Sequence, residues 1–420
     1  MSELPSRVLV LGLARSGRAA ALALARRGVT VVAVDRSTEL DVRELIKAGI
    51  ELRLGLESER LLEGAGLLVK SPGVSLEAPL VQVARKRRIP VWSEVELASR
   101  LFSNPLLGVT GTNGKTTTTE LLGAIFRAAD RKVEVAGNVG RAICDLDGQL
   151  DPEAWIVCEL SSFQLEDIER LRPRVAVLLN VEPDHLDRHG SLEAYRDAKL
   201  RIFENQLEDD VAVLPRGFGK LPGRGRRVEF DAHDPLPAEP LIPGEHNREN
   251  AAAATQAARA AGIAEEAIAA ALRSFPGVPH RLEPVAEVNG IRYVNDSKAT
   301  NTAAARRAIA SYPEPLHIIL GGRGKAESYD RLGQELSAHE ARAYLIGETA
   351  DEIAGALRRV GVAHDQCGTL EQAVRVATDK AKPGEIVLLA PACASFDQFE
   401  NFEQRGDAFR SYVAALSSRA

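Results

Sequence analysis

Cysteine is scarce: Cys144, Cys158, Cys367 and Cys393 are the only four in 420 residues. They stand far apart, so none has the close spacing of a metal-binding pair, and scattered thiols point to a reducing compartment. A basic excess is missing as well. The 53 Lys and Arg residues face 59 Asp and Glu, a formal net charge of −6, which offers nucleic acid no general attraction. Two local basic runs, Arg85–Arg88 and Arg224–Arg227, read as solvated helix ends and turns. No stretch approaches the roughly 18 uninterrupted apolar residues of a membrane span. The apolar run Val8–Leu13 is soon interrupted by Arg15 and Arg18 and meets nothing like a cleavage site, so no signal peptide is expected. These absences leave a chain expected in the cytoplasm, too long for one core and divided into two or three domains.

What is present is sharper. Residues 108–120 read Gly-Val-Thr-Gly-Thr-Asn-Gly-Lys-Thr-Thr-Thr-Thr-Glu, directly after an apolar run that begins at Pro105. Strand, glycine-rich loop and helix in this order bind nucleotide triphosphates. The glycines let backbone N–H groups approach phosphates, Lys115 reaches the terminal phosphates and Thr116 holds Mg²⁺. The usual pattern has a glycine six residues before the lysine; here that position is Val109.

Around this loop the chain falls into three blocks of alternating strands and helices. The first, to about residue 94, opens with strand Val8–Leu11, turn Gly12–Gly17, a helix to Arg27 and strand Val29–Val34, closed by Asp35. It resembles a dinucleotide-binding start whose central glycine is replaced by Ala14. Strand Leu67–Lys70 then meets the turn Ser71-Pro72-Gly73, at an edge where a phosphate- or ribose-bearing ligand fits as well as a turn without one. In the second block, Ala154–Glu159 and Val175–Asn180 read as strands buried on both faces, and helices are expected over Leu192–Asn205 and Asn247–Gly262. The third block carries strands Arg292–Asn295, His317–Leu320, Ala343–Ile346 and Ile386–Ala390 and a helix over Glu371–Lys380.

Polar residues gather at the strand ends. Glu159 and His185 follow the two strands after the phosphate loop, on the loop's own sheet edge. With Thr116, Glu159 supplies oxygen ligands suited to Mg²⁺, and His185, flanked by Asp184 and Asp187, suits a second ion or a structural role. Lys199 lies in a helix and reads locally as a solvated lysine. Asp296 and Lys298 stand in the polar segment Asn295–Asn301, either a site or a turn. Arg281 stands beside the expected hinge, placed for a phosphate or for an ion pair.

Taken together the motifs resemble the Mur ligase family, from Gly12 to about Asp407. Thr110-Gly-Thr-Asn-Gly-Lys-Thr116 is shared across that family and with folylpolyglutamate synthetases. Glu159-Leu-Ser-Ser-Phe-Gln-Leu-Glu166, Asp184-His-Leu-Asp-Arg188, Asn295–Asn301 and Pro391-Ala-Cys-Ala-Ser-Phe-Asp-Gln-Phe399 with Asn401-Phe-Glu-Gln-Arg-Gly406 resemble its D-glutamate-adding branch. The resemblance implies an α/β chain of three domains. These are a Rossmann-like UDP-substrate domain over 1–94, a central P-loop ATPase-type parallel-sheet domain over 95–279, and a Rossmann-like amino-acid-binding domain over 280–420.

It also implies roles. Ser16, Asp35, Arg36, Ser71 and Gly73 would hold the UDP part of the substrate, with Asn138 near the nucleotide-sugar substrate and Ser161 also binding substrate. Gly111, Thr112, Asn113, Gly114, Lys115, Thr116 and Thr117 would bind ATP, Asn247 and Asn250 its adenine, Asp296 its ribose and Arg281 its γ-phosphate. Thr116, Glu159, His185 and a carbamylated Lys199 would hold two Mg²⁺ ions. Lys298, Thr300, Lys325, Ser395 and Phe402 would receive D-glutamate, and Lys115, His185, Lys199, Arg281 and Lys298 would be catalytic. The implied partners are UDP-N-acetylmuramoyl-L-alanine and D-glutamate, with a monomer expected. Ala14 and Arg15 depart from the family's usual glycine and apolar residue. The alternatives are another Mur-type or folylpolyglutamate-type ligase, an NAD-dependent oxidoreductase built on Gly12–Asp35, and an ATP-driven switch. The N-terminal block and Ser395–Gly406 speak against the folate enzymes, the missing glycine against the oxidoreductase, and the polar third block against the switch.

Overall fold

The computed structural model describes residues 4–324, 327–339 and 341–417. Over these, three sheets follow one another along the chain. The first holds β1 (Arg7–Leu11), β2 (Thr30–Asp35), β3 (Glu51–Leu54), β4 (Leu67–Lys70) and β5 (Val91–Ser93) in the order β3-β2-β1-β4-β5, every pair parallel. The second holds β6 (Leu106–Thr110), β7 (Val133–Gly137), β8 (Trp155–Glu159), β9 (Val175–Leu178), β10 (Val211–Pro215) and β11 (Arg226–Phe230) in the order β11-β10-β9-β6-β8-β7, again all parallel. The third holds β12 (Glu283–Val288), β13 (Ile291–Asn295), β14 (Leu316–Gly321), β15 (Arg342–Ile346), β16 (His364–Gly368) and β17 (Ile386–Leu389) in the order β12-β13-β17-β14-β15-β16. Only β12, at its edge, runs antiparallel to its neighbour.

The chain forms two compact units, Met1–Glu239 with Glu249–Arg273, and Pro240–Arg248 with Ser274–Ala420. In the first, the first two sheets share one apolar core. Ala20 and Leu24 of helix Arg15–Arg26, Val95 of helix Glu94–Leu101, and Ile143 and Leu146 pack between them. Central strands β6, β8 and β9 are buried along their whole length, as parallel strands covered on both faces must be. In the second unit the two faces of the third sheet bury separate cores, one around Ile318, Leu345 and Leu357, the other around Tyr293, Tyr344 and Phe409.

The strand order sets the site. β6, which feeds the phosphate loop, lies between β8 and β9, so the polar segments after all three leave one sheet edge side by side. Two of the expected elements that end early bear on the site. The strand from Val175 stops at Leu178, because the Asn180 side chain turns to the phosphate loop. The helix from Leu192 stops at Leu200 and tightens into a 3₁₀ turn, Arg201–Phe203, where Arg201 Nη2 donates to Ile168 O at 2.6 Å.

Candidate active site

β6 ends at Thr110 and the chain turns through Gly111–Gly114 into helix Lys115–Ala128. Gly114 caps that helix with φ +82, and a Cβ there would lie 2.1 Å from Asn250 Oδ1. Left-handed backbone and the close approach of Asn250 both demand glycine. A glycine cap places no side chain over the first-turn N–H groups and no acid stands in that turn, so the positive helix end favours an anion. The loop is shaped from beyond β9. Asn180 Oδ1 accepts from Thr112 N at 3.1 Å and Asn113 N at 2.8 Å, and Asn113 Nδ2 donates to Glu182 Oε2 at 2.8 Å.

Two lysines meet on one carbonyl of this loop. Lys115 Nζ donates to Gly111 O and Thr112 O, both at 2.9 Å, and Lys199 Nζ donates to the same Gly111 O at 2.7 Å. The Lys199 side chain is buried, with its Nζ 4.4 Å from the centre of the Tyr195 ring. Burial first, and the Lys115 charge second, push its pKa down to about 6. It is therefore not the solvated lysine its local sequence suggests.

Glu159, at the end of β8, is buried. Its Oε1 accepts from Asn138 Nδ2 at 3.0 Å, while Oε2 has no hydrogen-bond partner among the described residues. Thr116 and Thr117 are buried in the first helical turn. His185 has left-handed backbone, φ +51. Its half-exposed ring lies 3.6 Å from Asp184 and meets Phe163 edge-on at 5.0 Å. Among the described residues no three His, Cys, Asp or Glu side chains converge as a ready-made metal cage. Ser161 caps helix Ser162–Leu165 in a reciprocal capping box with Gln164, which engages its hydroxyl.

At the C-terminal edge of the first sheet, a cavity of about 390 Å³ is lined by Gly12, Asp35, Arg36, Gly73 and Val74 among others. Asp35 steadies its mouth, accepting from Leu13 N at 2.6 Å and Ser37 N at 2.8 Å, and Arg36 pairs with Glu57 at 2.8 Å. Ser16 stands in the first turn of helix Arg15–Arg26, and Ser71 is buried against Gly12.

In the other unit, Arg281 lies between two left-handed residues, His280 (φ +62) and Leu282 (φ +41). Asp296 Oδ1 accepts from Leu282 N at 3.3 Å. Burial raises its pKa to about 6, against the opposing pull of Arg281. Lys298 N donates to His280 O at 3.1 Å, and its ammonium lies 5.5 Å from the centre of the Phe402 ring. Thr300 N closes a turn onto Lys298 O, Ser395 is buried, and Asn247 Nδ2 donates to Pro243 O at 2.6 Å. Lys325 lies outside the described residues.

Three family models match consecutive stretches: the Mur ligase MurD-like N-terminal domain over 6–93, the Mur ligase middle domain over 109–217, and the Mur ligase glutamate ligase domain over 280–393. The chain is 44% identical to the UDP-N-acetylmuramoylalanine--D-glutamate ligase of Acidobacterium capsulatum, an alignment covering 97% of this chain and 96% of that one. The chain belongs to the Mur ligase family. Solved Mur ligases share the fold at low identity. The MurF ligase of Thermotoga maritima in complex with ADP matches with a TM-score of 0.63 at 18% identity, over 93% of this chain and 96% of that one. The UDP-N-acetylmuramate-alanine ligase of the same organism matches with 0.60 at 18%, over 99% and 100%.

For a Mur ligase, the sequence motifs left four side chains without a role that the fold supplies. Asn180 and Glu182 shape the phosphate loop, and Tyr195 accepts from Thr112 Oγ1 at 3.3 Å beneath Lys199. Arg405, fully buried, donates to Ser297 Oγ and O and to Cys393 O, at 3.0, 2.8 and 3.1 Å. Ser297 Oγ in turn donates to Phe402 O at 2.8 Å. The segments carrying Lys298, Ser395 and Phe402 are thereby tied together. Desolvation pushes the Arg405 pKa down to about 10. The available signal was placement alone for Asn180, Glu182 and Arg405, which lie in polar segments, while Tyr195 stands inside helix Leu192–Leu200 and had no signal.

Proposed function

We propose that this chain joins D-glutamate to UDP-N-acetylmuramoyl-L-alanine at the expense of ATP, a step of peptidoglycan precursor synthesis that serves cell-wall growth and division. It would act in the cytoplasm as a monomer. The observation that carries the reading is the glycine-capped helix end with Lys115 and Lys199 converging on Gly111 O, in a chain 44% identical over nearly its whole length to a D-glutamate ligase. We further propose the domain division 1–94 for the UDP substrate, 95–279 for ATP and 280–420 for the amino acid.

A carboxylate does not condense with an amine unaided, because oxide is too poor a leaving group. In the proposed reaction the carboxylate of the nucleotide substrate attacks the γ-phosphorus of ATP and the bond to ADP breaks, leaving an acyl phosphate. The nitrogen of D-glutamate then attacks the acyl carbon. Phosphate departs with the C–O bonding pair, and the nitrogen gives up its proton as the amide forms. Positioning and charge neutralisation are the protein's share of such a reaction. The backbone of Gly111–Thr117 and Lys115 would cradle the phosphates, Arg281 would meet the γ-phosphate, Asn247 and Asn250 the adenine, and Asp296 the ribose. Ser16, Asp35, Arg36, Ser71 and Gly73 would hold the uridine diphosphate, Asn138 and Ser161 the sugar. Lys298, Thr300, Lys325, Ser395 and Phe402 would receive D-glutamate.

The donor set suits Mg²⁺, an oxygen-seeking ion. Glu159 keeps a buried carboxylate oxygen without a hydrogen bond among the described residues, and Thr116 stands in the first turn of the helix beside the loop. Bound magnesium would supply charge neutralisation at the transferring phosphoryl group. His185 and Lys199 would serve a second ion, Lys199 after its nitrogen adds CO₂ and loses a proton to become a carbamate. A pKa pushed down to about 6 leaves that amine mostly neutral at pH 7, with its lone pair available.

The test is phosphate release from ATP and Mg²⁺ with UDP-N-acetylmuramoyl-L-alanine, comparing D-glutamate, L-glutamate, L-alanine and meso-diaminopimelate. Release with D-glutamate alone, abolished in Lys115→Ala, is the expected result. Release with another amino acid would move the branch, and no amino-acid dependence would sink the ligase reading.

A further inference from the structure

Lys70 closes β4 immediately before the Ser71-Pro72-Gly73 turn, and its side chain is completely buried. Its Nζ donates to Val74 O at 3.0 Å and lies 3.0 Å from Asp167 Oδ2 and 3.9 Å from Glu166 Oε2. The same Val74 carbonyl accepts a second cationic donor, Arg188 Nη2, at 2.9 Å. Arg188 lies 3.8 Å from Glu166 Oε2, and its guanidinium sits 3.8 Å above the Phe163 ring, the ring whose edge contact is His185. One backbone carbonyl thus receives a donor from the strand that leads into the turn and another from the segment that carries His185. Val74 itself lines the cavity of the first sheet, beside Gly73.

Stability does not account for this cluster. Burying an ion pair costs desolvation that its attraction seldom repays, and apolar side chains of similar volume hold two elements together as well or better. The two sheets already share an apolar core. What a doubly held carbonyl adds is registry: the turn cannot slide against the 184–189 segment without breaking a charge-assisted hydrogen bond inside the protein.

We infer that Lys70 and Arg188 are positioning residues, which clamp the Val74 carbonyl and so hold the cavity wall of the first sheet in register with the segment carrying His185. The nucleotide end and the reacting end of one extended substrate are then set by a single cluster. The inference rests on the reading that the cavity takes the uridine nucleotide of that substrate.

Lys70→Met alone strips a buried cation from Asp167 and endangers folding. The deciding variant is therefore Lys70→Met with Asp167→Asn, which removes both charges at similar volume. The full chain is assayed for thermal midpoint, for Kd of UDP by calorimetry, and for KM of UDP-N-acetylmuramoyl-L-alanine and of ATP. The expected result is a cooperative melt near the parent's, UDP Kd and nucleotide KM raised about tenfold, and ATP KM within about twofold. A purely structural cluster, once replaced by a stable neutral pair, would leave the nucleotide KM where it was. Should the double variant not fold, Arg188→Lys decides by the same readouts, because lysine keeps the charge but loses the reach to Val74 O and the stacking on Phe163. A folded variant with UDP Kd and nucleotide KM within about twofold of the parent overturns the inference. Failure of the parent chain itself to bind UDP overturns the functional reading, and this inference with it.

Discussion

Glu94 opens helix Glu94–Leu101 from inside the core that the first two sheets share, and it is completely buried. Its Oε1 accepts from Cys144 N at 2.7 Å, and Oε2 has no hydrogen-bond partner among the described residues. Desolvation dominates, and it raises the carboxyl from 4.5 to about 7. The sign follows from comparing the two states. Below pH 4.5 the group is protonated whether the chain is folded or not, and the folded state loses nothing. As the pH climbs from 4.5 through 7, the unfolded chain ionises freely while the folded chain resists, so stability falls. At roughly 1.4 kcal/mol per pH unit, the loss reaches about 3 kcal/mol by pH 8 and levels off. Glu94→Gln keeps the acceptor for Cys144 N and removes the charge, but its amide N–H₂ takes the place of the unpartnered oxygen at a cost of about 1–2 kcal/mol. The expected net effect is a variant more stable than the parent at pH 8 by about 1–2 kcal/mol and less stable at pH 5. Urea unfolding of both chains at the two pH values measures it. A stability difference that is the same at pH 5 and pH 8 would refute the reasoning, because it would mean that the Glu94 charge is not confined by burial.

Three further outcomes are expected. Gly114→Ala places a Cβ 2.1 Å from Asn250 Oδ1 on left-handed backbone. It should cost about 1–2 kcal/mol from the backbone alone and raise the ATP KM at least about tenfold, read by urea unfolding and initial rates. Lys199→Met should lower kcat by about a hundredfold or more while ATP Kd stays within about threefold, which single-turnover phosphate release and calorimetry would separate. Arg405→Met leaves the carbonyls of Ser297 and Cys393 without their donor. It should raise the D-glutamate KM about tenfold or more and leave UDP binding unchanged, and the opposite pattern would detach Arg405 from the amino-acid segments.

Much of the framework was legible because buried parallel strands are written as unbroken apolar runs. Leu67–Lys70 matches β4 residue for residue, and the phosphate loop with its helix stands where Thr110–Thr116 placed it. Apart from β10, a buried interior strand, the strands that escaped reading are mostly short or half-exposed edges. β3 and β16 mix exposed and intermediate positions, β7 is only half-buried over Val133–Val135, and β12 carries Pro284 and pairs antiparallel. Their periodicity is too weak to separate from loop sequence. The site divides in the same way. Lys115, Glu159 and Asp296 could be named because each sits inside a local pattern. Asn180 could not be given its work, because the N–H groups it holds come from 67 and 68 positions earlier in the chain. Lys199 was misleading for a related reason. Helical sequence around a lysine carries no trace of the loop carbonyl it reaches 88 positions away.

The Gly111 carbonyl has an energetic consequence for the proposed reaction. Lys115 rests on two oxygens of its own loop. Entry of a triphosphate would then be an exchange of acceptors, and the gain from the lysine would be the difference between two sets of hydrogen bonds rather than the whole of one. In the proposed reaction the same two oxygens would receive the lysine again once the product has left, so the loop carries its own replacement for the phosphate.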